Sequence, residues 1–114
     1  LVLGPGQDGK TVAPEGIKGA ALNEAQRATL LELIGAWVHI LPEDAAASRL
    51  AALKAKLDDT YFAWYGPTTE GSAAYFRLQG PALVIEYAPQ GGANHIHTII
   101  RDPGNDYGRE LTKP

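Results

Sequence analysis

Leu57-Asp58-Asp59-Thr60-Tyr61-Phe62-Ala63-Trp64-Tyr65 is the stretch whose reading decides the fold. Up to Leu57 apolar residues recur every three or four positions, the spacing of one helix face. After Thr60 the period shortens to two, and Tyr61 to Tyr65 is dense in aromatic side chains that suit a pleated, half-buried surface. The chain passes from helix to sheet at this point.

Upstream, Ala46, Leu50, Leu53 and Leu57 form the apolar stripe of one helix. It begins at Pro42, a position that tolerates proline, and Glu43 and Asp44 suit the positive end of its dipole. Before it, Leu30, Leu31, Ile34, Trp37, Val38 and Leu41 repeat with helical spacing. Asn23 is a plausible N-cap with Gln26 in the capping-box position, which predicts a helix from about Glu24 to Ile40. Gly35 weakens that helix by up to about 1 kcal/mol relative to Ala, or permits close packing. The joint of a residue or two makes a tight corner or hairpin. Asp58 and Asp59 sit at the unfavourable end of the second dipole, so they either terminate the helix or are held by nearby cations.

Residues 1–22 read as an extended arm or linker. Leu3-Gly4-Pro5-Gly6-Gln7-Asp8-Gly9-Lys10 and Pro14-Glu15-Gly16 are loop-forming compositions. A phosphate loop is not indicated, because no Gly-Lys-Ser/Thr follows at the required spacing. Downstream, Gly66 to Ser72 is a loop, Ala73 to Gln79 a strand, Gly80-Pro81 a turn and Ala82 to Ala88 a strand. Pro89 to Ala93 is a loop, Asn94 to Arg101 a fourth strand, and residues 102–114 an irregular tail. Connections this short join antiparallel neighbours. The expected class is α+β: two N-terminal helices packed on one face of a four-stranded antiparallel β-meander, with a Gly/Pro-rich N-terminal arm. Residues 23–114 are expected to form one domain.

The length of 114 residues fits a single domain. A net charge of -3 gives no electrostatic case for a nucleic-acid partner, and no apolar run has the length of a membrane span. The absence of cysteine excludes disulfides, thiolate nucleophiles and sulfur-rich zinc sites. The absence of methionine, even at position 1, predicts that the chain has lost an N-terminal portion.

The chemistry-bearing stretch is Asn94-His95-Ile96-His97-Thr98-Ile99-Ile100-Arg101-Asp102-Pro103-Gly104-Asn105-Asp106-Tyr107-Gly108. Alternate strand residues share a face. Arg77, Glu86, His95 and His97 therefore fall on the surface opposite the apolar sets of their strands. Two imidazoles at i, i+2 have parallel Cα–Cβ vectors roughly 6–7 Å apart, so both reach one divalent ion. Glu86 from the adjacent strand is the candidate third ligand, with Asp102 or Asp106 as alternatives from the loop. With nitrogen and oxygen donors, zinc, copper, iron or manganese are all admissible. Arg77 and Arg101 are candidates for an anion or substrate clamp, and Asp106 and Tyr107 for closing over the histidine face. A second reading makes the histidines hydrogen-bond partners of Glu86 and of backbone carbonyls. A third is general acid/base work without metal. Arg101 and Asp102 are expected to form an ion pair or turn brace, Asp102-Pro103-Gly104 being a strong turn signal. The aromatic residues Tyr61, Phe62, Trp64, Tyr75 and Tyr87 are expected in core and cross-strand pairs. No Ser-centred nucleophile elbow and no metalloprotease helix motif appear, which argues against hydrolysis by a Ser or Cys nucleophile.

Leu-Gly-Pro-Gly-x-Asp-Gly at 3–9, Pro-Glu-Gly-Ile-Lys-Gly at 14–19, Leu-Asp-Asp-Thr-Tyr-Phe-Ala-Trp-Tyr-Gly-Pro at 57–67, Tyr-Phe-Arg-Leu-Gln-Gly-Pro at 75–81 and the 94–108 stretch carry a resemblance. The chain resembles a bacterial and fungal family, domain of unknown function thirty-five hundred. Family members are longer at the N-terminus, and many carry export signals. The resemblance therefore implies the C-terminal part of a secreted or periplasmic protein. It implies no activity. The family's motif positions fall here on His95, His97, Arg101, Asp102, Pro103, Asn105, Asp106, Tyr107 and Gly108. Two functional expectations result. One is a metal-binding His-x-His site on an open sheet face. The other is a structural or interaction module, pairing with the remainder of the parent protein or with other copies of the chain, in which the histidines are buried and structural.

Overall fold

The computed structural model describes residues 1–4, 6–7, 10–90 and 92–106. Two helices and a five-stranded antiparallel sheet make up the α+β fold. The elements are β1 (Ile17–Lys18), α1 (Glu24–Val38), α2 (Glu43–Ala55), β2 (Tyr61–Tyr65), β3 (Tyr75–Gly80), β4 (Leu83–Pro89) and β5 (Ile96–Arg101). One-turn 3-10 segments, Gly19–Ala21 and Leu57–Asp59, connect arm to helix and helix to sheet. The strands lie in sequence order, each antiparallel to the next.

The expected four-stranded meander is thus five-stranded. The addition comes from the arm, whose Ile17 and Lys18 pair with Phe62 and Tyr61. Two residues are too few for any periodicity to show, so only the pairing reveals this strand. Two glycines seat it. A Cβ on Gly16, which has φ +89, would lie 2.0 Å from the Phe62 carbonyl oxygen, and one on Gly19 would lie 1.9 Å from that of Leu57. Any side chain at either position would push the arm off the sheet.

Helix α1 starts on a reciprocal capping box. The Asn23 side chain accepts from Gln26 N, and the Gln26 side chain accepts from Asn23 N. Pro42 caps α2 from outside, with Glu43 and Asp44 in the first turn. Asp58 and Asp59 are met by cations, Arg27 at 2.5 Å and Lys18 at 3.4 Å.

Both helices cover one sheet face. Leu30, Ile34 and Val38 of α1, Ala46 and Leu53 of α2, and Leu57 pack on Phe76, Leu78, Leu83 and Ile85. Each large side chain fully buried in this way stabilises by roughly 1.5–3 kcal/mol relative to exposure. At the strand ends Trp64, Phe76 and Tyr87 stack side by side, and Trp37 meets Phe76 edge-on. The aromatic residues are cross-strand and core partners. Among the described residues no helix is long and apolar enough to cross a membrane.

Candidate functional site

The register places Tyr75, Arg77 and Gln79 of β3, Val84, Glu86 and Ala88 of β4, and His97, Ile99 and Arg101 of β5 on the face away from the helices. Arg77 is opposite Glu86, and Glu86 is opposite Ile99. This face is not open over its centre, because the N-terminal arm crosses it. Glu86 is fully buried there. Its carboxylate accepts from the backbone N–H groups of Val2 (2.7 Å) and Leu3 (2.5 Å) and from the Tyr75 hydroxyl (2.8 Å). The Leu3 side chain is only 2% exposed.

Further fastenings follow the arm. Arg101 donates to the carbonyls of Leu3 (3.0 Å) and Lys10 (3.2 Å), and Gln79 Nε2 donates to that of Val12 (2.5 Å). Arg77 donates to the Tyr75 hydroxyl at 3.2 Å and to Glu15 at 3.1 Å, and the Tyr65 hydroxyl donates to the second Glu15 oxygen. These are bonds to backbone and to ionised groups, and those to the buried Glu86 carboxylate are worth roughly 1.5–3 kcal/mol each. The electrostatics follow the geometry. Burial, with the bond to Glu86, pushes the Tyr75 phenol up to about 12. The Tyr65 hydroxyl, then Arg77, hold the Glu15 carboxyl below its ordinary range. Bonding to Glu15, above all, raises the Tyr65 phenol.

The histidines stand apart from this clamp and are exposed. His97 lies on β5 opposite Ala88. His95 lies in the preceding turn, where its carbonyl accepts from Gln90 N at 2.6 Å. That bond closes the β4–β5 connection and sets the His95 backbone. The two Nε2 atoms face each other at 3.1 Å, with ring centroids 4.9 Å apart and planes inclined by 46°. An ion bound at about 2.0–2.1 Å by both nitrogens, with an N–metal–N angle between square and tetrahedral, needs them roughly 2.9–3.4 Å apart. The observed spacing falls inside that window.

Of the other sequence-predicted residues, Glu86 shares the face with His97, but its oxygens are taken by the arm and Tyr75. Among the described residues no group of three or more His, Cys, Asp or Glu side chains is placed to hold an ion. Arg101 does not pair with the adjacent Asp102. It holds Asp106 in a two-point ion pair, Nε to Oδ1 at 2.9 Å and Nη2 to Oδ2 at 2.6 Å, with side chains 11% and 6% exposed. Asp102 instead braces the turn by accepting from Gly104 N at 2.9 Å, and lies 3.9 Å from Arg49. Adjacent strand residues point to opposite faces, so Arg101 reaches across the turn more readily than to its neighbour. Tyr107 lies outside the described residues. The arm's seat went unread in the sequence. Its one signal was Glu86, a carboxylate in the middle of the apolar run Leu83-Val84-Ile85-Glu86-Tyr87, which needs donors from somewhere.

Fold and site define an α+β domain with a helix-covered antiparallel sheet, a strapped polar face and a surface histidine pair. Residues 1–109 match the family described as "Protein of unknown function (DUF3500)". The chain belongs to this family. Comparison with curated proteins and with solved structures finds no match.

Proposed function

We propose that this domain binds a divalent transition metal ion through His95 and His97. The single observation that carries the reading is the 3.1 Å Nε2–Nε2 spacing of two exposed imidazoles. Imidazole donors suit zinc and copper(II) best and iron(II) next, whereas manganese prefers oxygen. Glu86, Arg77 and Arg101 are assigned to holding the arm, so the remaining metal positions are left for donors other than Glu86. Export, secreted or periplasmic, belongs to the same reading and rests on the family resemblance alone.

Metal content by mass spectrometry on untagged protein tests this, wild type beside His95→Ala/His97→Ala. Metal that is retained through gel filtration by the wild type and lost in the double variant is the expected result. Chelation should also lower the melting temperature, because an ion that binds only the folded state stabilises it. A wild-type chain that holds no metal after incubation with zinc or copper overturns the reading.

The second reading is an interaction module. Its support is the arm, gripped largely through its backbone by Glu86, Gln79 and Arg101. Exposure of both histidines speaks against the version in which they are buried structural groups.

A further inference from the structure

Two features of β5 meet at one place. The first is an incomplete ligand set. His95 and His97 supply two donors, and the described residues bring no third. A closed zinc site takes four ligands. The second is an unpaired strand edge. β5 is the last strand in the sheet order, and no described strand pairs with its outer side. Such an edge is a template for another strand unless charge or proline blunts it. From Ile96 to Ile100 this edge carries neither.

The helix-covered face beside this edge carries exposed apolar side chains. Ile96 is 42% exposed at the start of the strand. Ile40 and Leu41, 76% and 42% exposed, border a cavity of about 320 Å³ together with Ile100 and Arg101. The unpaired edge and the half-filled ligand set adjoin at the start of β5.

We infer that the missing neighbour of both is a second copy of the chain, the two β5 edges lying antiparallel about a two-fold axis near Ile96, with one ion bridging both histidine pairs. This rests on the metal reading above. Directly opposed residues in an antiparallel pair have Cβ atoms about 4.5–5.5 Å apart, and same-face neighbours follow one step along. An axis near Ile96 sets His95 of each copy opposite His97 of the other, which puts four imidazoles on one face, within reach of one ion. A two-fold operator uses the same patch on both partners, so one half-site generates the whole. Four nitrogen donors make a closed set for zinc.

Sedimentation equilibrium of the untagged chain, titrated with zinc and then with EDTA, tests the inference, with the metal-to-chain ratio measured on each separated species. The expected result is a zinc-dependent dimer holding one ion per two chains, dispersed by EDTA and absent in His95→Ala/His97→Ala. Ile96→Lys, which leaves both imidazoles in place and charges the exposed edge, should raise the dimer dissociation constant at least tenfold. Circular dichroism of both variants confirms that the fold persists. A monomer with its own histidine-bound ion overturns the bridge and leaves the metal reading standing, and points to other donors, such as the rest of a longer chain. A dimer that ignores zinc also overturns the bridge. A chain that binds no zinc overturns both.

Discussion

The two faces of this sheet are held down by different physics. On one, two helices bury Leu78, Leu83 and Ile85 under Leu30, Ile34, Val38 and Leu53. That attraction is non-directional and proportional to area. On the other, an arm with little regular structure is tied by individual hydrogen bonds that Glu86 accepts and that Arg77, Gln79 and Arg101 donate. Apolar packing tolerates a change of shape if volume is kept. A buried carboxylate with three donors tolerates no loss of a partner without leaving an unsatisfied group. The helix face should therefore carry the stability of the whole domain, and the arm face should come apart locally.

The largest effect should come from the helix face. Leu78→Ala removes a side chain with no exposure and should cost roughly 2–5 kcal/mol. Urea denaturation should show helices and arm losing protection together. Glu86→Ala comes next. It strands the N–H groups of Val2 and Leu3 and the Tyr75 hydroxyl, at roughly 1–3 kcal/mol. Amide exchange at Val2 and Leu3 should rise well before that of α1. If arm and helix exchange rose in step in this variant too, the two faces would be one cooperative unit and the contrast would fail.

A smaller effect is expected at alkaline pH. Tyr75 keeps its proton in the folded state up to about 12, against 10.0 for an unperturbed phenol. Below pH 10 both states are protonated and the stabilisation is complete. Between 10 and 12 the unfolded chain ionises first, so stability falls with pH. Tyr75→Phe should flatten that part of the stability curve, and an unchanged slope would remove Tyr75 from the clamp. The smallest effect should lie at the arm's exposed end. Glu15 is held below the 4.5 of an unperturbed carboxyl, so its contribution is present above that pH and is lost as pH falls through the folded value. Glu15→Gln should lower the melting temperature slightly at pH 7, and the difference from wild type should disappear as pH falls through the folded value, flattening the acid limb.

How much was legible depends on where each partner lies along the chain. The helix start at Asn23 and Gln26 was readable, because both halves of the capping box sit three residues apart. Tyr61–Tyr65 was readable as a strand from its aromatic content. For Asp58 and Asp59 the sequence leaves helix termination and nearby cations both open, and the structure supplies the cations. Alternation puts Arg77, Glu86, His95 and His97 on one face; the register bears this out for Arg77, Glu86 and His97, whereas His95 lies in the turn before β5 and outside the ladder. The arm did not show itself. Its Gly and Pro content hid β1, and nothing near Glu86 in sequence announced that its donors would be Val2 and Leu3. The Arg101 pairing went to Asp106 instead of Asp102 because a turn, which alternation does not describe, brings the more distant carboxylate round.

The sequence by itself determined the order and type of the helices and main strands, the apolar face of each, and the presence of two imidazoles on one short stretch. Those follow from backbone periodicity and from bonds spanning a few residues. Tertiary structure alone decided that the polar face would be strapped, that Glu86 would serve the arm, and that the two Nε2 atoms would stand 3.1 Å apart. The strap's bonds with Glu86, Arg77, Gln79 and Arg101 join residues 62 to 98 apart in the chain, from Arg77 with Glu15 to Arg101 with Leu3. No local pattern encodes such a bond. It forms only once the helix-covered face has folded the sheet and fixed where its donors and acceptors stand.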